Sequence, residues 1–224
     1  MRERHVQFDV AALLREAEKH LGPHHGQAKS LTKYAEGGFN RIFLLTMDDG
    51  FEAIFKVPYK IAGPKHYATA SEAATLDYLH SKNVPVPKLY AYSSSDNNPV
   101  GVEYIIMEKA PGVGLKSRWQ SMSKRERHQL ASSFVGIEKR IFDLPLASIG
   151  SIYHKKDIPA DLQAALYTAD TNMNNDSNSF CIGPSADYMF WYGKRAGLDI
   201  YRGPCKLGLE PWCSDSDLSR EQCH

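Results

Sequence analysis

The sequence predicts an α+β fold, in which a five-stranded antiparallel sheet precedes a partly helical region. Short apolar runs separated by turn residues predict strands at residues 29–34, 41–47, 51–57, 88–92 and 101–107. Apolar residues at helical spacing predict helices that begin at residue 10, near residue 69 and at residue 123. With 224 residues, of which 42% are hydrophobic, the chain can bury the core of one large domain or two small lobes.

The composition argues against several functional classes. The formal net charge is +1, which argues against nucleic-acid binding driven by bulk electrostatics. No apolar run reaches membrane-spanning length, and the acidic residues among the first twenty fit neither a secretory signal nor a transit peptide. The four cysteines form no Cys-x-x-Cys pair, so neither a zinc site nor a disulfide framework is indicated. Free thiols in a reducing, intracellular compartment are expected.

The first predicted helix has a cap, an apolar face and a stop. Asp9 is suited to the N-cap position, and Gly22-Pro23 is expected to end the helix. The apolar face is formed by Val10, Leu13, Leu14, Ala17 and Leu21. Three histidines surround the expected stop, but no carboxylate or cysteine completes a ligand set, so no metal site is predicted there.

A pair of glycines joins the first two predicted strands. Gly37 and Gly38 lie in a tight turn at residues 36–40, and an Asp-Gly hairpin at residues 48–50 leads into the third strand. Adjacent glycines let backbone N–H groups approach a phosphate with no side chain in the way. A plain hairpin turn explains the same pair of glycines, and both interpretations stay open.

Lys56 ends the third predicted strand, and Glu72 follows sixteen residues later on a helix. A lysine at the end of a buried strand, held by a glutamate from the next helix, is an arrangement that positions nucleotide phosphates. The lysine supplies a point charge on a flexible stem, and the glutamate fixes that stem. The alternative is a solvated surface lysine beside an unrelated helix glutamate.

Within the strand at residues 101–107, residues 104–107 are almost wholly apolar, as expected of a buried strand, and they lead directly into residues 108–112. This Pro-Gly-containing connector is either a hinge between two lobes or an ordinary strand-to-helix turn. The helix at residues 123–142 begins with a capping box formed by Ser123 and Glu126. The apolar stripe of this helix predicts the start of a helical second lobe. The stripe consists of Leu130, Phe134, Ile137 and Ile141.

The last part of the chain carries weaker signals. The polar residues 170–179 predict a loop, and the aromatic residues of 180–203 either fill a lobe core or stack on a base or sugar. The chain from residue 212 onward has no apolar period, so a disordered tail is expected.

Several segments in the same order resemble fungal aminoglycoside phosphotransferase and choline kinase-like proteins, and among them most closely the altered inheritance of mitochondria protein nine branch. These segments are residues 36–44, 70–76, 98–108 and 180–185 within a similarity over roughly residues 8–212. The resemblance implies a protein-kinase-like fold of two lobes, ATP and Mg²⁺ as ligands, and small-molecule phosphorylation as the chemistry. The implied organisation is an N-terminal helix (1–22), a nucleotide lobe with its hinge (23–112), a partial helical lobe (113–211) and a disordered tail (212–224).

The resemblance also implies site residues, which are carried over onto this sequence one by one. Lys56 corresponds to the phosphate-binding lysine and Glu72 to its helix partner, and Gly37 and Gly38 form the turn that covers the phosphates. The implied adenine hinge consists of Met107, Glu108, Lys109 and Ala110.

The sequence departs from the family in its second lobe. Such folds carry a catalytic loop of the form His-x-Asp-x-x-x-x-Asn followed by a metal-binding aspartate, and no His-x-Asp occurs in the 224 residues. The spacing of His154 and Asp157 does not match, and no catalytic loop precedes Asp199. No catalytic residue and no metal ligand are therefore assigned, and the chain is expected to be C-terminally truncated, ending before both groups.

Three functional interpretations stay open. The chain is either a shortened phosphotransferase that is inactive alone, or a pseudokinase that binds a nucleotide or a protein partner covering the open second lobe. The third interpretation is an active kinase that uses Asp157 or Asp199. A mitochondrial location is implied by the resemblance, and a cytoplasmic one is the alternative.

Overall fold

The computed structural model describes residues 6–168 and 175–206. The predicted α+β fold is confirmed, with a five-stranded sheet in the order β1-β2-β3-β5-β4 in which every pair of neighbours is antiparallel. The strands are β1 (Ala28–Glu36), β2 (Asn40–Met47), β3 (Glu52–Pro58), β4 (Leu89–Ser93) and β5 (Tyr104–Glu108). The predicted hairpin is present between β2 and β3, where the Gly50 N–H donates to the Met47 carbonyl at 3.0 Å.

The strand β5 begins three residues later than predicted. The Asn98 side chain organises the preceding residues as a turn, accepting hydrogen bonds from the N–H groups of Val100 (2.8 Å) and Gly101 (3.0 Å) and donating to the Val102 carbonyl (2.8 Å). Gly101 has φ of 81°, a conformation that favours glycine and interrupts an extended strand. The apolar pattern could not reveal this turn because it is made by a side chain.

Helix α1 (Val10–His25) packs against one face of the sheet. The Asp9 carboxylate accepts a hydrogen bond from the Ala12 N–H at 2.9 Å, which confirms the predicted cap. The buried residues of α1 are Ala12, Leu13, Ala17 and Leu21, which share a core with Leu45, Phe55 and Ile106. Val10, predicted on this apolar face, is 47% exposed, because it occupies the first helical position at the edge of the contact.

The predicted end of α1 at Gly22-Pro23 is wrong. The helix continues to His25, and Gly26 ends it with φ of 75° and an N–H that donates to the Gly22 carbonyl at 3.0 Å. Because Pro23 lies in the last turn, it removes one backbone donor near the end of the helix and leaves the preceding turns intact.

Helix α2 (Tyr67–Ser81) connects the sheet to the second half of the chain. It lies beside the hairpin of β7 (Ser151–His154) and β8 (Phe180–Gly183) as well as beside β4 and β5. Tyr78 is fully buried in a small core with Leu166, Phe180 and Ile182. The rest of α2 buries mostly alanine, which lets the helix approach its neighbours closely.

The second half of the described chain contains α3 (Leu115–Arg118), α4 (Lys124–Phe142), α5 (Asp176–Ser179) and a pair formed by β6 (Ser148–Ile149) and β9 (Cys205–Lys206). The predicted capping box of α4 is confirmed by reciprocal contacts between Ser123 and Glu126. No residue of α4 is buried, and Phe134 of its apolar stripe is 60% exposed.

Some sequence predictions fall where the structure gives no description. The predicted disordered tail lies outside the described residues, as do residues 170–174 of the predicted polar loop and two of the four cysteines. The loop prediction is wrong for Asp176–Ser179, which form the short helix α5, where the Asp176 carboxylate accepts a hydrogen bond from the distant Tyr167 hydroxyl at 2.8 Å. Of the other two, Cys181 is buried and Cys205 is partly buried. Within residues 6–168 and 175–206, no helix is both long and apolar enough to cross a membrane.

Candidate nucleotide site

The side chains of Lys56 and Glu72 meet. The Lys56 Nζ lies 2.5 Å from both carboxylate oxygens of Glu72, and the lysine side chain is only 15% exposed. The sheet register places Lys56 between Ile42 of β2 and Ile105 of β5, so the lysine emerges from a central strand. Side chains alternate along β3, and Lys56 therefore points away from the face on which Phe55 contacts the α1 core.

The glycine turn between β1 and β2 is fixed by a cluster around Glu36. Its carboxylate accepts hydrogen bonds from Lys33, from the Tyr59 hydroxyl at 2.5 Å and from the Arg41 guanidinium at 3.3 Å. These hydrogen bonds lower the pKa of Glu36 from 4.5 to about 2. The bond from Lys33 contributes most to this shift, and the bond from Tyr59 contributes next. The Tyr59 N–H also donates to the Phe39 carbonyl at 2.8 Å, so the turn is tied to the chain that follows β3.

A cleft of about 160 Å³ lies between the glycine turn and α2. The Lys56 and Glu72 side chains line it together with residues of the turn, of β5, of the segment before α2 and of the distant residue Tyr188. The full lining is Phe39, Asn40, Lys56, Pro58, Ala62, Gly63, Ala68, Thr69, Glu72, Ile105 and Tyr188. Lys56, beside which phosphates are expected to bind, is thus part of the cleft wall.

Not every residue predicted for the site lines this cleft. Gly37 and Gly38 lie in the turn above it, where the Gly37 N–H donates to the Asn40 carbonyl at 2.9 Å, but the lining comes from their neighbours Phe39 and Asn40. No side chain is within 4 Å of the position that a Cβ on Gly38 would take, so this glycine faces open space.

The residues of the predicted hinge, 107–110, lie at the far end of β5 and do not line the cleft. Met107 pairs with Ile54, two residues before Lys56, and shares its sheet face with Ile105. The Glu108 N–H donates to the carbonyl of Lys88, the residue before β4, and the Glu108 carboxylate accepts a hydrogen bond from the Lys88 N–H. The Lys109 Nζ lies 2.5 Å from the Glu52 carboxylate. The predicted phosphate-binding residue Lys56 and the predicted hinge at residues 107–110 therefore lie apart from each other along the same face of the sheet.

Tyr188 lines the cleft, although no sequence pattern predicts it there. Its ring centroid lies 5.1 Å from that of Phe39 at the tip of the glycine turn, although the two residues are 149 positions apart. The aromatic richness of residues 180–203 was a signal, but it did not indicate which ring reaches the turn. Thr69, also missed, lines the cleft and donates its hydroxyl hydrogen to Glu103 at 2.6 Å.

The two aspartates weighed as alternative catalytic groups lie elsewhere. Asp157 accepts a hydrogen bond from the Tyr92 hydroxyl at 2.7 Å and lies 3.6 Å from the His154 ring, and it is absent from the cleft lining. Burial raises the pKa of Asp157, but hydrogen bonds from His154 and Tyr92 outweigh burial and hold this pKa below its usual range. Asp199 is exposed and does not line the cleft. Within the described residues, no group of three or more His, Cys, Asp or Glu side chains has the arrangement of a metal site.

Comparison with known proteins identifies homologues in fungi. No family profile matches the chain. A subtelomeric hrmA-associated cluster protein of Aspergillus fumigatus is 42% identical over 79% of this chain and 33% of its own length. The altered inheritance of mitochondria protein 9 of Candida tropicalis, named as mitochondrial, is 30% identical over 72% of this chain and 28% of its own length. The chain is a homologue of these proteins.

The homology confirms the predicted resemblance to the altered inheritance of mitochondria branch, and the chain spans about a third of the length of these curated relatives. Among solved structures, an aminoglycoside phosphotransferase APH(4)-Ia matches 46% of this chain and 32% of its own with a TM-score of 0.30 and 21% identity. A thermostable mutant of that enzyme, in a ternary complex with AMP-PNP and hygromycin B, matches 79% of this chain and 77% of its own with a TM-score of 0.29 and 14% identity. The fold assignment rests on the sheet and its helices, since both TM-scores are below 0.5.

Proposed function

We propose that this chain provides the nucleotide-binding portion of an aminoglycoside phosphotransferase-like protein and binds ATP in the cleft beside Lys56. The observation that supports the proposal is the contact between Lys56 and Glu72, because a largely buried lysine held by a helix glutamate is a preformed site for phosphate charge. The position of the pair under the Gly37-Gly38 turn agrees with this role.

The proposed binding mode divides the nucleotide between the two ends of the sheet face. The phosphates lie against Lys56, where the glutamate keeps the ammonium group in place and the glycine turn brings backbone N–H groups near. The adenine edge meets the backbone of residues 107–110, which follow β5 directly. Met107 and Ile105 lie on one face of β5 between these ends and supply apolar contact for the base and ribose.

The described residues do not fit the Mg²⁺ that the resemblance implies. Mg²⁺ is held by carboxylate oxygens beside the phosphates, and the nearest carboxylate in the cleft, that of Glu72, is already bound by Lys56. We therefore propose no step through a metal ion.

We also propose that this chain alone does not transfer phosphate. The transfer requires a group that orients the acceptor hydroxyl and cations that stabilise the transferred phosphoryl group. The sequence contains no His-x-Asp to supply the first of these, and loss of a general base alone costs on the order of 10²–10⁴ in rate.

The binding proposal is tested by thermal unfolding with increasing ATP. A ligand that binds only the folded state stabilises it, by about 2.7 kcal/mol at a hundredfold excess over Kd, so the Tm should rise with ATP concentration. Lys56→Ala should abolish the rise. Lys19→Ala is the matched control, because Lys19 also pairs with a glutamate at 2.7 Å but lies on α1, remote from the cleft. An unchanged Tm for the unaltered chain with every nucleotide tried would contradict the proposal.

The second part is tested by incubating the purified chain with magnesium-ATP and candidate aminoglycosides or alcohols. We expect no phosphorylated product. Turnover that is lost in Asp157→Asn or Asp199→Asn would instead support an active enzyme with unusual catalytic groups.

A protein-binding role is the second candidate function, and exposed apolar side chains of α4 favour it. Phe134, Val135 and Phe142 are each at least 60% exposed, which is typical of a surface that another protein covers. Sedimentation analysis of the purified chain should then show concentration-dependent association that Phe134→Ser weakens.

We propose a mitochondrial location because the altered inheritance of mitochondria relatives are named as mitochondrial. Fluorescence microscopy of the tagged chain in a fungal cell, compared with a mitochondrial stain, tests this proposal, and a diffuse cytoplasmic signal would contradict it.

A further inference from the structure

Residues 185–202, here called the aromatic strap, form a closed loop that rests on the proposed nucleotide site. The Ser185 N–H donates to the Arg202 carbonyl at 2.8 Å, so the two ends of the strap are joined at its base. Inside the loop, the Trp191 indole donates to the Ser185 carbonyl at 2.7 Å, and the Arg202 guanidinium lies 4.1 Å from the Trp191 ring centroid. The strap is therefore bonded mainly to itself.

Ring contacts join the strap to the glycine turn and to α2. Trp191 stacks on Tyr67 at the start of α2, with centroids 5.5 Å apart, and Tyr188 contacts Phe39 of the glycine turn at 5.1 Å. The two short 3₁₀ helices within the strap bury no residue. Segments with so few buried apolar contacts open at low free-energy cost, and lids over binding sites belong to this class.

The volume of the cleft indicates what the strap does. A cavity of about 160 Å³ is smaller than the roughly 300–1,000 Å³ of sites that accept nucleotide-sized ligands. Tyr188 is the residue of the strap that lines the cleft, and its ring joins the strap to the tip of the turn expected to cover the phosphates. The strap therefore limits the space beside Lys56.

We propose that the aromatic strap is an autoinhibitory cover on the cleft, latched by the contact between Tyr188 and Phe39, and that ATP binds after the strap swings away. This inference rests on the proposed function. The closed strap lowers the fraction of molecules that can bind and so raises the apparent Kd by the same factor. A ring pair of this kind stabilises the closed form by a factor of about 2–12.

The test compares ATP affinity in variants by isothermal titration calorimetry. Tyr188→Ala should lower the Kd by about 2- to 12-fold. Phe190→Ala is the matched control, since Phe190 is a half-exposed aromatic residue of the strap that does not line the cleft, and it should leave the Kd unchanged. A Kd that is unchanged or raised in Tyr188→Ala, while Lys56→Ala still abolishes binding, would overturn the cover and leave the nucleotide site standing. No binding by any of these proteins would overturn both.

Limited trypsin digestion gives a second readout that needs no variant. Lys194 and Arg195 are exposed in the strap, and displacement of the strap should expose their backbone further. We expect saturating ATP to accelerate cleavage at these residues in the unaltered chain. Slower cleavage with ATP would show that the strap closes on the nucleotide and would overturn the proposal.

Discussion

Helices α1 and α4 carry the same sequence signals and have opposite surroundings. Each begins at a side-chain cap and carries an apolar stripe, but α1 buries four residues against the sheet whereas α4 buries none. Leu13 of α1 is 1% exposed, and Phe134 of α4 is 60% exposed. The comparison shows that apolar periodicity defines the face of a helix, whereas burial depends on whether another element covers that face.

The two helices should therefore differ in how they unfold. Helix α1 shares the main core with β2, β3 and β5, so its packing belongs to the cooperative unit of the sheet. Helix α4 is joined to the region of the five-stranded sheet by few contacts, one of them the hydrogen bond from the Arg140 guanidinium to the Asn83 carbonyl at 2.9 Å. Elements with few buried contacts open locally, at a lower free energy than global unfolding.

The largest expected effect comes from truncating the two apolar faces. Leu13→Ala should lower the free energy of unfolding by about 2–5 kcal/mol, because it leaves a cavity in the main core. Phe134→Ala should change it by less than about 0.5 kcal/mol, because the ring is largely solvated. Urea denaturation followed by circular dichroism measures both values. A similar loss for the two variants would mean that α4 is packed as firmly as α1.

A smaller effect is expected at the two caps, and it sharpens the comparison. Asp9→Ala should lower the free energy of global unfolding by about 1 kcal/mol, because the Ala12 N–H loses its acceptor. Ser123→Ala removes the cap of α4 and should leave the global unfolding midpoint unchanged while it speeds amide hydrogen exchange in residues 124–130. A shift of the global midpoint by Ser123→Ala would contradict the independence of α4.

The smallest effect is expected from charge and extends the comparison to pH. Glu36 of the glycine turn has tertiary partners, and its pKa falls from 4.5 to about 2, mainly through hydrogen bonds from Lys33 and then Tyr59. The stabilisation from the ionised Glu36 is thus fully present above about pH 4.5 and is lost as the pH falls from there towards 2. The pKa of Glu126 in α4 is also lowered, but its two largest causes are hydrogen bonds from Ser123, a neighbour in the same helix cap.

Denaturation at several pH values between 7 and 3 measures this difference. Glu36→Gln should be less stable than the unaltered chain at pH 7, and the difference should shrink as the pH falls. Glu126→Gln serves as the local control and should leave global unfolding unchanged at every pH. A Glu36→Gln difference that stays constant with pH would show that the charge of Glu36 does not stabilise the fold.

Much of the five-stranded sheet and its helices could be predicted because their signals are local or follow a fixed order. The Asp9 cap and the Asp-Gly hairpin each depend on neighbouring residues, and the contact between Lys56 and Glu72 follows from the order of strand and helix. The failed helix end at Gly22-Pro23 shows the limit of local rules. A proline in the last turn removes only one backbone hydrogen-bond donor, and the glycine whose conformation ends the helix lies three residues further on.

The rest could not be predicted because it depends on contacts between distant segments. Tyr188 meets Phe39 across 149 positions, and nothing near either residue specifies its partner. The residues around Asp157 in the sequence suggest a catalytic group, whereas in the structure its carboxylate accepts a hydrogen bond from Tyr92 of β4. The exposure of Phe134 likewise depends on which elements are available to cover α4, and the stripe itself does not specify them.

Contacts along helix α2 fix the position of Glu72, which lies in its first turns. Glu72 points to Lys56 near one end, while Asp77 lies 3.1 Å from His154 and Tyr78 is locked beneath Phe180 further along. A rotation of α2 that separated Glu72 from Lys56 would also have to move the β7–β8 hairpin or break its contacts with the helix. The orientation of the Lys56 ammonium group thus depends on a hairpin that begins about seventy residues after α2 in the sequence.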